Sequence, residues 1–125
     1  KPPYTRITAI NMHTGEHLWH IPNGDTPDRI KSHRALQGVE LPNTGVTSLP
    51  NTMVTGSLLI HAEGSAGKPV LHAIDKQTGE RLGTVELPAT GEYGMMTYQH
   101  EGRQYIVAQV ASRNLPGSLA ALRLP

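Results

Sequence analysis

Three histidines, His13, His17 and His20, recur at intervals that would gather them on one helix face as a set of metal ligands. The Thr14-Gly15 pair breaks any helix across them, and on a strand His17 and His20 point to opposite faces, so turn and surface roles are expected for all three. Asp25 and Asp28 lack the loop pattern of a calcium site. Ser48, Ser57, Ser65 and Ser118 lie in no Gly-x-Ser-x-Gly elbow, which leaves a hydrolase triad without an anchor. The stretch GSAG at 64–67 is not followed by the Lys-Ser/Thr of a phosphate loop and is expected to be a flexible turn. Arg103 and Tyr105 have the chemistry to line a pocket and equally the makings of an ordinary hairpin face. No catalytic or metal-ligating residue is assigned from these patterns, and cofactor contacts stay unassigned.

The elements that would position such residues are short strands. Apolar runs lie between closely spaced turn signals, and none persists with a 3.6-residue period for three turns. The fold class expected is therefore all-β. In MTYQHEGRQYIVAQV, the arms Met96 to His100 and Arg103 to Val110 meet at Glu101-Gly102, a two-residue hairpin turn in which Gly102 supplies a positive φ. A further strand is expected over Leu58 to Ala62, entered through Gly56-Ser57. The segment from Asn23 to Gly45 carries charges and, with Pro22 just before it, lies among three prolines, and it is too long for an ordinary connection. A surface excursion is expected there, with a short helical turn near Arg29 to Leu36, serving either as a solvated connection or as a binding loop.

Composition bounds the partners. With 125 residues the chain is one domain or part of one, and its net charge of +1 provides no basic field for nucleic acid. No run approaches the roughly 20 apolar residues of a bilayer span, and the absence of cysteine removes disulfides and thiolate metal sites. The chain opens on Lys1 with no signal-peptide pattern and reads as a processed or cut piece. Phe is absent, and 13 glycines and 10 prolines make the sequence rich in turns and poor in large core side chains. Further chain or partner subunits are expected to complete the core.

The strongest signal is internal repetition. Residues 7–21 and 71–85 share Ala9/Ala73, Ile10/Ile74, Thr14/Thr78, Gly15/Gly79, Glu16/Glu80 and Leu18/Leu82, with Asn11 opposite Asp75. Self-similarity at such a spacing is the mark of stacked supersecondary units, each leaning on its neighbours. In each copy a strand runs into Thr-Gly and out into a second strand. Asn11 or Asp75 is expected to cap the turn with its side chain, Thr14 or Thr78 to add a hydroxyl bond, and Gly15 or Gly79 to take the positive φ that closes it. Ala9 and Ala73 are small where sheets must approach, which leaves Trp19 a flat surface to cover.

These residues carry a resemblance. Ala9, Asn11, Thr14, Gly15 and Trp19 resemble the tryptophan-docking motif AxDxxTGxxxW of the quinoprotein dehydrogenases, and Ala73, Asp75, Thr78 and Gly79 repeat it with Gly83 at the tryptophan position. GMMTYQHEGRQYIVAQVA is similar to the family's PMTYxxxGKQYVVxxAGG, LAALRLP to its closing IVAYALP, and LPNTGVTSLPNTMVTGSLLIHAEG to its GxPxxGGxxxTxGGLxF strands. The similarity covers almost the whole chain in family order and is greatest to the membrane-associated, sugar-oxidising branch. It implies a β-propeller fragment of about two to three four-stranded antiparallel blades, with residues 1–125 forming the carboxyl-terminal part of the propeller domain.

The resemblance further implies a periplasmic enzyme that oxidises an alcohol or sugar hydroxyl with pyrroloquinoline quinone and Ca²⁺. The family's catalytic Asp, calcium ligands and tryptophan floor all precede the part represented here. The chain alone is accordingly expected to bind no cofactor, to need the remaining blades of the same protein as its partners, and to self-associate without them. Three departures stand out: Gly94 replaces the family's Pro, Ser112-Arg113 replaces its Gly-Gly, and Leu115 stands about where the methanol-oxidising branch places a cofactor-side Trp in the loop SRNLPG. The other class compatible with the repeats is a non-catalytic propeller that works by protein contacts in bacterial envelope assembly, like the outer-membrane assembly lipoproteins.

Overall fold

The computed structural model describes residues 2–123, whose regular structure is almost entirely antiparallel strand. Lys1 and the last two residues of LAALRLP, Leu124 and Pro125, lie outside the described residues. Nine strands among those residues form three sheets. The first pairs β1 (Arg6–Ile10) with β2 (His17–Pro22). The second is a four-stranded meander of β3 (Asn51–Val54), β4 (Leu58–Ala62), β5 (Val70–Asp75) and β6 (Arg81–Glu86). The third holds β7 (Thr90–His100), β8 (Arg103–Ser112) and β9 (Leu115–Arg123).

The two repeats explain this partition. Residues 7–21 fold as β1–β2 and residues 71–85 as β5–β6, so the first hairpin corresponds to the last two strands of a blade. The described chain is a β-propeller fragment: half a blade, a complete blade and three strands of the next. Both copies carry a one-residue register shift at the same place, between Ala9 and Ile10 and between Ala73 and Ile74, where the strand turns toward its Thr-Gly corner.

Two departures from expectation have local causes. β7 extends back from Met96 to Thr90, but register shifts at Gly91/Tyr93 and Tyr93/Met95 scramble the two-residue alternation by which a strand is recognised. SRNLPG is not an open loop: Ser112 ends β8, Leu115 begins β9, and only Arg113 and Asn114 turn between them. The hairpin turn at Glu101-Gly102 has positive φ at both residues, 48° and 74°, as a two-residue turn between twisted strands requires. The excursion after β2 holds one turn of helix, α1 (Asp28–Lys31), and a 3₁₀ turn at Arg34–Leu36. Its base is zipped: Thr26 donates to Asn43, the Asn43 amide to the Gly24 carbonyl, and Val46 N–H to the Asn23 carbonyl.

The core lies between the second and third sheets, where Ile60, Ala62 and Leu71 meet Leu87, Ala89 and Val110. Gly91 of β7 lets the third sheet approach Ala62 closely; a Cβ added there would lie 2.8 Å from the Ala62 methyl. One end of the sheets carries the segments 23–50, 63–69, 87–89 and 113–114, and the other carries the tight turns 11–16, 55–57, 76–80 and 101–102. Functional side chains are therefore to be sought at the first end.

Candidate functional site

The repeat residues fall where the local chemistry expects them. Asn11 Oδ1 accepts from His13 N (2.9 Å) and Thr14 N (3.4 Å), and Asp75 Oδ1 accepts from Gln77 N and Thr78 N (both 2.8 Å). The Thr78 hydroxyl adds a bond to Asp75, and each threonine oxygen accepts the amide of the following glutamate. Gly15 and Gly79 close the turns at φ 77°. Thr78 and Gln77 amides hold the exposed Asp75 carboxyl below its usual range.

Trp19 joins the two copies. Its indole N–H donates to the Lys76 carbonyl (3.1 Å), and its ring lies on Gly79, where a Cβ would approach Cδ2 to 2.8 Å. Lys76 in turn donates through Nζ to the carbonyls of Thr55 (3.1 Å) and Gly56 (2.6 Å), tying this corner to the β3–β4 turn. Ala9 stands opposite Trp19 on the neighbouring strand, and Ala73 stands opposite Gly83. Gly83, at the second tryptophan position, has open space where a side chain would be. The motif residues are thus a structural clamp at the turn end of the sheets, away from the long loops.

At the loop end lies a cluster that the spacing of residues does not reveal. His61, His72 and Thr84 stand side by side across β4, β5 and β6, on the sheet face turned toward the first hairpin. Glu63, 1% exposed, accepts through Oε1 from His72 Nε2 (2.9 Å) and through Oε2 from the Lys68 amide (2.8 Å). His72 Nδ1 lies 2.8 Å from the Thr84 hydroxyl on the exposed outer strand. Asn23, fully buried, donates through Nδ2 to the carbonyls of Ser48 (2.8 Å) and Glu63 (3.1 Å) and presents Oδ1 to His61 Nε2 at 2.7 Å. The His61 and His72 rings stack with centroids 5.3 Å apart.

Electrostatics follow from burial and partners. Burial opposes the charge on Glu63, but the bonds from His72 and the Lys68 amide outweigh it and keep the carboxyl below its usual range. Burial, then the neighbouring His72, lowers His61 to about 4, so its ring is neutral at pH 7. At the rim, Asp25 bridges Arg81 (3.2 Å) and Lys68 (3.5 Å); these cations overcome the cost of its partial burial and lower its pKa.

Among the described residues, no group of three His, Asp or Glu side chains is placed to hold a metal ion. His13, His17 and His20 are exposed on the first hairpin. Tyr105 stacks on Tyr98 across the β7–β8 hairpin at 5.1 Å. Leu115 packs against the apolar core between sheets. On the excursion, an open groove of about 570 Å³ between Tyr4, Arg29, Ile30, His33 and Leu36 contains none of the buried polar groups. One signal for the missed cluster was present: LLIHA and VLHAI each place a histidine inside an apolar strand run, a position that demands a buried partner.

Comparisons with known proteins agree with this architecture. The family model for the glucose/ethanol/alcohol dehydrogenase β-propeller domain, which bears the name of pyrroloquinoline quinone, matches residues 1–106. The glycerol dehydrogenase large subunit of Gluconobacter thailandicus is 34% identical over 111 residues, covering 85% of this chain and 14% of that protein. A probable quinate dehydrogenase (quinone) of Xanthomonas campestris pv. juglandis is 32% identical over 85% of the chain and 13% of its own length. Quinoprotein glucose dehydrogenase A of Acinetobacter calcoaceticus is 25% identical over the whole chain and 16% of its own length. The chain thus spans about 14% of the length of the glycerol dehydrogenase large subunit.

Proposed function

We infer the function from one premise: the chain belongs to the pyrroloquinoline quinone dehydrogenase β-propeller family. It forms the carboxyl-terminal blades of a periplasmic dehydrogenase that oxidises an alcohol, polyol or sugar hydroxyl to the carbonyl. The family match over residues 1–106 carries this reading, and the clamp of Trp19 on Gly79 supports it by joining the two repeats sheet to sheet, as stacked blades require. The named relatives act on glycerol, quinate and glucose, which supports a polyhydroxylated substrate.

The quinone supplies a two-electron acceptor, and a calcium ion beside it supplies a Lewis acid. The carboxylates at the loop-end cluster do not fit a calcium shell, and among the described residues no three acidic or histidine side chains gather to form one. Both oxygens of the buried Glu63 are occupied by donors, and Asp25 is taken by Arg81 and Lys68. Ligands and the proton-abstracting base are therefore assigned to other parts of the parent protein, and these blades serve as ring-closing wall. The wall function falls to the loop end, where Asn23, Ser48 and Glu63 hold the long segments against the sheet.

The test is a dehydrogenase assay of the whole parent protein with an artificial electron acceptor, across alcohols, polyols and aldoses. Turnover that needs both quinone and Ca²⁺ is expected; none on any hydroxyl substrate would refute the proposal. The remaining blades are the natural partners of the exposed face of the third sheet, which shows Met96, Tyr98 and Leu119. The isolated chain is expected to sediment as oligomers through that face and to bind no quinone.

A further inference from the structure

We propose that Glu63 and His61 are positioning residues of an acid-operated latch, which pins the segments 23–50 and 63–69 to the central sheet only while Glu63 is ionised and His61 is neutral. The hydrogen-bond pattern fixes the protons between Glu63 and His72 and between Asn23 and His61. A carboxylate can only accept, so the proton between Glu63 and His72 belongs to His72 Nε2, and the second carboxylate oxygen holds the Lys68 amide. Asn23 donates both amide hydrogens to carbonyls, which leaves its oxygen for His61 and puts the His61 proton on Nε2. His61 Nδ1 is then a bare lone pair, buried and without a partner among the described residues.

The cluster is also closed sterically. Gly24 and Gly67 both face the Glu63 carboxyl, and a Cβ on either would collide with it. Asn23 and Gly24 lead into the excursion, Ser48 closes it, and Lys68 belongs to the β4–β5 connection. The carboxylate holds the β4–β5 connection through Lys68, the His61 ring holds Asn23, and Asn23 with the Glu63 carbonyl holds Ser48.

Acid disrupts the arrangement at two points. A proton on Glu63 turns one acceptor oxygen into a donor facing the Lys68 amide or His72 Nε2. A proton on His61 places a buried cation with no acceptor for its Nδ1 against the stacked His72 ring, with Arg81 also nearby; the Glu63 charge offsets this only in part. Asp25, held by Lys68 and Arg81, is the remaining charge near the cluster and adds a little repulsion to Glu63. The Thr84 hydroxyl on His72 Nδ1 lies on the exposed outer strand, so the cluster reaches solvent on that side. Both groups titrate below their ordinary values in the folded state, so each supports the latch at neutral pH and releases it as the medium is acidified. The latch rests on the geometry of the cluster and not on the proposed function.

Hydrogen exchange of the full chain between pH 8 and pH 4, corrected for intrinsic rates, tests the proposal. Protection of peptides from 24–50 and 63–69 is expected to fall at least tenfold between pH 6.5 and pH 4, while the β8 segment 106–110 holds. Two variants separate the two groups. His61→Gln keeps a donor for Asn23 but cannot be charged, and releases at lower pH than the wild type. Glu63→Gln is never ionised and sets its amide group against the Lys68 amide or His72 Nε2, so segments 24–50 and 63–69 are expected to be unprotected already at pH 8.

Absence of pH dependence in the wild type, wild-type protection of Glu63→Gln at pH 8, or release of His61→Gln at or above the wild-type midpoint overturns the latch. Should a variant fail to fold, ¹⁵N spectra of the wild-type histidines decide it: His61 in the Nε2–H form is expected, and the Nδ1–H form would sink it. Neither readout involves the quinone, so failure here leaves the dehydrogenase proposal standing, and the converse also holds.

Discussion

The two faces of the four-stranded sheet are made of alternate residues of the same strands, yet they work by different physics. Ile60 and Leu71 point into the interface with the third sheet, which is dry and held by apolar contact. Their chain neighbours His61 and His72 point the other way, into an interface where Asn23, Glu63 and Thr84 fix each ring by hydrogen bonds. An apolar interface stabilises in proportion to area and tolerates small adjustments. A buried polar interface depends on proton positions, and losing one partner leaves another buried and unsatisfied. In this molecule the polar face is the one that holds the long loops.

The sharpest way to break the contrast is His72→Leu. Removing the donor leaves the buried Glu63 carboxylate short of a hydrogen bond, and a loss of about 3 kcal/mol is expected at pH 7 in urea unfolding, shrinking toward pH 4 as Glu63 takes up a proton. Next in size is the acid response of the wild type. Lowering His61 from 6.5 to about 4 corresponds, at about 1.4 kcal/mol per unit, to ~3 kcal/mol of stability present above pH 6.5 and gone below pH 4. Unfolding midpoints across that range measure it, and His61→Gln should flatten the slope. Trp19→Ala is expected to cost about 2 kcal/mol, less than a fully buried Trp because the ring is half-exposed; tryptic cleavage within the first hairpin should rise as it undocks. Ile60→Val on the dry face should cost about 1 kcal/mol at every pH, and a cost that varied with pH would erase the distinction between the faces.

The parts of the fold legible in the sequence were those whose partners lie within a few residues. The Asn11 and Asp75 turns close over three or four residues, so side-chain chemistry alone predicts them. The Glu101-Gly102 hairpin is legible for the same reason. β3 is only four residues long, and β7 is interrupted by register shifts, so neither offers a clean alternation. The clamp was half legible: the repeat marked Trp19 as special, but its seat on Lys76 and Gly79 lies 57 and 60 positions away. Of the polar cluster only the histidines inside apolar runs gave a hint, since Asn23 and Glu63 look like ordinary loop residues until they are buried.

By itself, then, the sequence determined the turns, the hairpins, the repeat and the family likeness, because each is written in contacts between near neighbours or in direct self-similarity. Tertiary structure alone decided which side of each strand meets which sheet, and that Asn23, His61, Glu63 and His72 converge. Their convergence depends on two glycines, Gly24 and Gly67, that leave room for a carboxylate. Proton positions in such a cluster follow from the whole set of donors and acceptors at once, and a set drawn from three separate stretches of chain exists only after the sheets have stacked.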